Sequence, residues 1–170
     1  MPDVQDAILG TFLRDGYDGA SLSALSVATG LGRASLYHRF PEGKRAMALA
    51  ALDRVNERFG VEVIVPLLAP GTPQERVDAM LAGLDRFYDG GRRACLLERL
   101  IASADRDAFR APLASTLGAW TDALGRVLGD DERAVDAVAA IEGALVVAAL
   151  GRPAVFPRTL ARLSRELLRR

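Results

Sequence analysis

The residues best suited to chemistry in this 170-residue chain lie between Ser21 and Lys44. On a helix expected from Arg33 to Phe40, Arg33, Ala34, Ser35, Tyr37 and His38 take exposed positions, while Leu36 and Phe40 stand one turn apart on the buried side. An arginine near a helix N-terminus can offer two N–H groups at once to guanine O6 and N7. The Tyr37 hydroxyl can bond a phosphate oxygen, and His38 and Arg39 add donors toward a nucleic-acid backbone. Lys44 opens the next helix, where free backbone N–H groups also favour phosphate. This is equipment for holding a polyanion and reading base edges. It is poor equipment for making bonds. His38 is the single histidine, so the rest of the chain has none for a histidine-based metal site or a Ser–His or Cys–His couple. Asp105 and Asp107 read as helix-start acids rather than an acid–base pair, and no glycine-rich phosphate loop follows a strand. No enzymatic activity, cofactor or metal is expected.

Charge supports the same segment. The chain has 22 basic and 22 acidic residues, so its net charge gives no direction. Between Arg33 and Arg58, however, six Lys or Arg face three Asp or Glu. Lys44 is also the only lysine, a compact point charge of the kind that suits phosphate.

The elements that must carry these residues are helical. Apolar spacing follows the helical period almost everywhere and no period-2 strand stands out, which predicts an all-α protein of about nine helices. Ile8, Leu9, Phe12 and Leu13 form a stripe ending at Gly16. Ser21 can cap a second helix with Leu22, Leu25 and Ala28 on one face, and Gly30-Leu31-Gly32 makes the turn into the third. Pro41-Glu42-Gly43 ends that helix, and a long one follows from Lys44 to about Pro66. Further helices are expected from the Thr72-Pro73-Gln74-Glu75 capping box to Gly90-Gly91, from Cys95 to Ala104, from Pro112 to Leu128, from Asp130 to Leu150, and from Pro157 onward. Two short helices around a glycine turn, the second with a basic and aromatic face, outline a helix-turn-helix.

The pattern Gly16-Tyr17, Ser21, Leu25, Gly30-Leu31, Leu36-Tyr37-His38-Arg39-Phe40 and Gly43-Lys44 resembles the N-terminal domain of the TetR family of bacterial transcriptional regulators over residues 7 to 52. The Phe-Pro-x-Gly-Lys ending resembles one subgroup of it. The resemblance implies phosphate contacts at Tyr37 and Lys44, and base-edge contacts at Ser23, Arg33 and Ala34. It implies a DNA-binding domain over residues 1–46 and a helical ligand-binding and dimerisation domain over 47–170. The chain departs from the pattern at several positions. Gly32 stands where a small capping side chain is usual, Ala34 where glycine is frequent, Ser26 and Thr29 where alanine is frequent, and Asp3 and Asp6 where a basic arm usually precedes the first helix.

The function expected is therefore a repressor that reads a palindromic double-stranded operator as a homodimer and is released by a small-molecule inducer. The alternative is a helical dimer that binds a ligand or protein partner without DNA, which the acidic lead-in favours. Pairing is expected through the last two long helices, along Ala134, Val138, Ile141, Leu145 and Ala148, unless that stripe is simply monomer core. Met80, Leu84, Phe87, Tyr88, Leu100, Phe109, Leu117 and Trp120 are candidate lining for an apolar or aromatic ligand, and equally candidates for core. Cys95, near Arg92 and Arg93, reads either as a redox sensor or as a buried small hydrophobe. Neither a secretory leader nor a membrane span is expected: Met1 to Asp6 has no basic-then-apolar pattern, and the longest apolar run, Ala144 to Leu150, is short. The expected location is the cytoplasm.

Overall fold

The computed structural model describes residues 3–169. Met1 and Pro2, which belong to the reading of the N-terminus, and Arg170 lie outside the described residues. Those described are helical throughout, with no strand. In chain order the helices are α1 (Val4–Gly19), α2 (Leu22–Thr29), α3 (Arg33–Arg39), α4 (Lys44–Phe59), α5 (Val65–Leu68), α6 (Pro73–Phe87), α7 (Leu96–Ile101), α8 (Arg106–Leu128), α9 (Asp131–Ala149) and α10 (Val155–Glu166). A π turn, Gly60–Ile64, joins α4 to α5 without a break, so the described residues form nine separate helices.

Local sequence accounts for most helix ends. Ser21 caps α2 by accepting from the Ala24 N–H at 3.1 Å. Gly30 ends α2 in the left-handed conformation, φ 68°, which a side chain would resist. Thr72 and Glu75 close the capping box at the start of α6. Asp130 caps α9 through the Arg133 N–H at 3.0 Å.

The long helix ends at Leu68, in the neighbourhood of Pro66 as expected. Pro66 has no N–H for the Glu62 carbonyl four residues back, and the helix passes this point by widening into the π turn. Helix α8 begins at Arg106, not Pro112, and carries Pro112 inside it. Phe109 and Leu113 on either side of the proline are buried, and their packing offsets a proline penalty of about 3 kcal/mol. Helix α7 is shorter than expected, and α10 starts two residues ahead of Pro157, which takes a first-turn position where its missing N–H costs little.

Two compact units result. One takes in the chain as far as Glu57 together with Cys95–Leu113; the other takes in Arg58–Ala94 and the chain from Ala114 onward. The core of the first holds Ile8, Phe12, Leu25, Leu36 and Met47, with Leu96, Leu100, Phe109 and Leu113 from the later segment. The second is built on an aromatic chain. Phe59 meets Phe87 and Trp120 edge-on at 5.4 and 5.2 Å, and Tyr88 continues from Phe87 to Phe156. The α9 stripe Ala134, Val138, Ile141, Leu145 and Ala148 is also core here, buried within the monomer. Its periodicity reflects packing inside one chain. The exposed apolar line on α9 runs instead through Val135, Ala139, Gly143, Val146 and Leu150.

Candidate nucleic-acid interface

The seven-residue helix α3 is held by one face and free on the others. Leu36 and Phe40 are buried, while Arg33, Ala34, Ser35, Tyr37, His38 and Arg39 are all exposed. This is the division expected from the sequence. The helix has no side-chain cap at Gly32, whose missing Cβ leaves open space around the helix start.

Two links hold the candidate contact residues in place. The Arg33 Nη2 donates to the Ser23 hydroxyl at 2.7 Å, joining the first turn of α3 to α2. The Lys44 ammonium lies 4.6 Å from the centre of the Tyr17 ring, within cation–π range. Arg33 and Lys44 take part in no ion pair among the described residues, whereas Arg45 is matched to Glu42 and Arg54 to Asp6. Arg33 on α3 and Lys44 at the start of α4 therefore carry charge that no carboxylate offsets.

Tyr17 was not singled out as a site residue by the sequence reading, although it stood in the family pattern. It is buried in the first unit, stacked on Phe12 and edge-on to Phe109. Its hydroxyl donates to Asp105 Oδ2 at 2.9 Å, and the neighbouring Asp18 accepts the Ala104 N–H at 3.0 Å. Burial first, and then the bond to Asp105, push the phenol up to about 12, with Arg45 pulling the other way. Nothing in the local sequence announces Asp105 as its partner.

The acidic lead-in has structural employment. Asp3 caps α1 by accepting from Gln5, and Asp6 pairs with Arg54 at 3.3 Å. The pairing with Arg54 offsets the charge of Asp6, whereas Asp3 keeps its negative charge at the cap.

The eight candidate lining residues divide between the units. Leu100 and Phe109 sit in the core of the first. Met80, Leu84, Phe87, Tyr88 and Trp120 are buried in the second, and Leu117 is half-buried. There the Trp120 Nε1–H points at the Met80 sulfur at 3.3 Å. Cys95 is buried at the start of α7, and Arg92 is engaged with Asp89. No group of three or more potential metal ligands occurs among the described residues.

Residues 6–51 match the sequence model of the bacterial regulatory proteins of the tetR family. The HTH-type transcriptional repressor KstR of Mycolicibacterium smegmatis is 28% identical over 135 residues, 78% of this chain. The chain spans 65% of the length of that relative. A TetR transcriptional regulator from Chloroflexus aurantiacus superposes with a TM-score of 0.78 at 18% identity, covering 98% of this chain and 95% of that one. Reduced NemR of E. coli superposes with a TM-score of 0.76 at 21% identity, covering 96% of both chains. These two likenesses concern the fold. Helix-turn-helix geometry, the sequence match over residues 6–51 and the fold agree in likening this chain to the tetR family of bacterial regulatory proteins.

Proposed function

We propose that the protein is a DNA-binding transcriptional repressor that reads a palindromic operator as a homodimer and leaves it when a small-molecule ligand binds. Residues 1–46 make the DNA contacts; residues 47–170 pair the chains and take the ligand. The observation that carries the reading is α3, which buries Leu36 and Phe40 and leaves every polar side chain on it exposed. Arg33 and Ala34 face base edges with Ser23 beside them. Ser35, Tyr37, His38, Arg39 and Lys44 face the backbone.

Repression comes to this chain from its likeness to KstR, whose name states that activity. Pairing is supported by the exposed apolar line on α9, where Val146 is 46% and Leu150 80% accessible. Two heads set about 34 Å apart, or a multiple of it, meet successive turns of one groove. The ligand is apolar or aromatic, in keeping with the Phe59, Phe87 and Trp120 cluster beside Met80 and Leu84. The protein works in the cytoplasm; among the described residues no helix is long and apolar enough to cross a membrane.

Selection from a random duplex library with purified protein at two salt concentrations tests the reading. The expected result is a palindrome whose affinity falls as salt rises. Lys44→Ala should weaken every sequence and reduce the salt slope by about 0.9, one released phosphate contact. Folded protein that enriches no sequence at low salt would overturn the proposal.

A further inference from the structure

Ser23 and Arg33 belong to different helices, yet their side chains are joined by a 2.7 Å hydrogen bond. The geometry points to a division of labour. We propose that Ser23 is a positioning residue for Arg33, holding its guanidinium ready to read one guanine in each operator half-site. The proposal rests on the DNA-binding reading above and assigns to Ser23 a role beyond contact with the DNA itself.

The chemistry of the tether is what makes it useful. Ser23 accepts one hydrogen of Nη2. A guanidinium has two edges that each present a parallel pair of N–H groups, and Nη2 contributes one hydrogen to each. Spending one leaves the other edge whole, and one whole edge is what guanine O6 and N7 require. A carboxylate partner would hold the arginine more strongly but would cancel its charge. The ion pairs of Arg45 with Glu42 and Arg54 with Asp6 show that treatment elsewhere in the same unit. Arg33 is instead fixed by a neutral hydroxyl.

The surroundings agree. Both residues are exposed, so the bond leaves the arginine open to a groove. The Ser23 hydroxyl is not needed for the helix end, because Ser21 supplies the α2 cap. The bond lowers the entropy that Arg33 would lose on docking, and immobilising one long side chain costs roughly 2- to 10-fold in affinity.

The test is a double-mutant cycle read by sequencing the duplexes that each protein selects from one random library. Wild type, Ser23→Ala, Ser23→Thr, Arg33→Ala and the Ser23→Ala/Arg33→Ala double variant are compared. Ser23→Ala is expected to reduce the guanine preference at one position of each half-site by roughly 2- to 10-fold. Ser23→Thr, which keeps the hydroxyl, should retain it. In the Arg33→Ala background, loss of Ser23 should change that position no further. If Ser23→Ala selects the wild-type sequence with undiminished preference, the positioning role is overturned. It is equally overturned if the Ser23→Ala effect persists without Arg33, although the DNA-binding reading then stands. Wild-type protein that selects nothing removes both.

Discussion

The Lys44 ammonium rests 4.6 Å from the centre of the Tyr17 ring, while the hydroxyl of the same tyrosine is bonded to Asp105 at 2.9 Å. One side chain therefore serves two contacts by different chemistry. The ring face attracts the cation that opens α4, and the phenol ties the end of α1 to the start of α8. Tyr17→Phe keeps the first contact and loses the second. Tyr17→Leu loses both. A cation–π contact at a partly exposed site is worth about 0.5–1 kcal/mol, so Tyr17→Leu should weaken DNA binding by roughly 2- to 5-fold while Tyr17→Phe stays close to wild type. Equal losses in the two variants would show that the hydroxyl, not the ring, matters to Lys44.

The same phenol predicts a change in alkaline stability. Its folded pKa is raised from 10.0 to about 12, chiefly by burial and then by Asp105. The neutral form is favoured by folding. Its stabilising effect is complete below the unfolded value and is lost as pH rises through the folded one. Across that window wild type should lose up to about 3 kcal/mol that Tyr17→Phe, having no such proton, does not lose. Urea midpoints measured at pH 9 and above, in steps through the transition, would settle it; parallel decline of the two proteins would refute the assignment.

Glu98 of α7 has a buried carboxylate oxygen, Oε1, with no hydrogen-bond partner among the described residues. Burial pushes its carboxyl pKa up, with Arg99 opposing. A carboxyl whose folded pKa is raised destabilises the fold as pH climbs through that pKa, and is harmless below its unfolded value. Glu98→Gln should therefore stabilise the protein at neutral pH by about 1 kcal/mol, with the advantage shrinking in acid. Thermal unfolding at acid and neutral pH is the check, and a Glu98→Gln variant less stable than wild type at neutral pH would count against it.

What the sequence made legible was local. Ser21 as a cap, Gly30 as a turn, Leu36 and Phe40 on one face of α3, and the Thr72–Glu75 box each depend on neighbours within one turn of chain. What it concealed depends on distant partners. Tyr17 and Asp105 are 88 residues apart, and no spacing rule joins them. Pro112 looked like a helix start because the burial of Phe109 and Leu113, which holds the helix through it, is tertiary. The α9 stripe is apolar at helical spacing, but periodicity does not say whether the partner is in the same chain. The candidate face of α3 was accessible to sequence reasoning because it is a short segment whose exposed and buried sides alternate within seven residues.

The π turn of Gly60–Ile64 gives a prediction of close packing. The Glu62 carbonyl, left without the N–H that Pro66 lacks, lies against Gly83 of α6, where a Cβ would overlap it. Both groups are backbone and neither can rotate away. Gly83→Ala should destabilise the protein by about 1–3 kcal/mol as the segments are forced apart. Gly118→Ala on α8 is the control, because open space surrounds that position. There the usual helix preference should prevail and stabilise by about 1 kcal/mol. Denaturant unfolding of the pair distinguishes the close approach from a general intolerance of alanine.

On the pairing proposed above, the two faces of α9 separate folding from pairing. Ile141 is buried in the monomer, whereas Val146 is 46% accessible on the line that includes Gly143 and Leu150. A charge at Ile141 enters the core and should prevent folding. A charge at Val146 meets only what lies across the exposed line. Val146→Asp should leave the helical content and cooperative unfolding of the monomer intact while halving the mass found by sedimentation. Operator affinity should fall by roughly 100- to 10,000-fold, because the second head then binds without the high local concentration that pairing provides. Dimeric Val146→Asp with full operator affinity would place the pairing surface away from this line. Loss of folding would show instead that Val146 is part of the core, contrary to its accessibility. A folded monomer with weakened operator binding is the result that links the exposed line of α9 to the spacing of the two recognition helices.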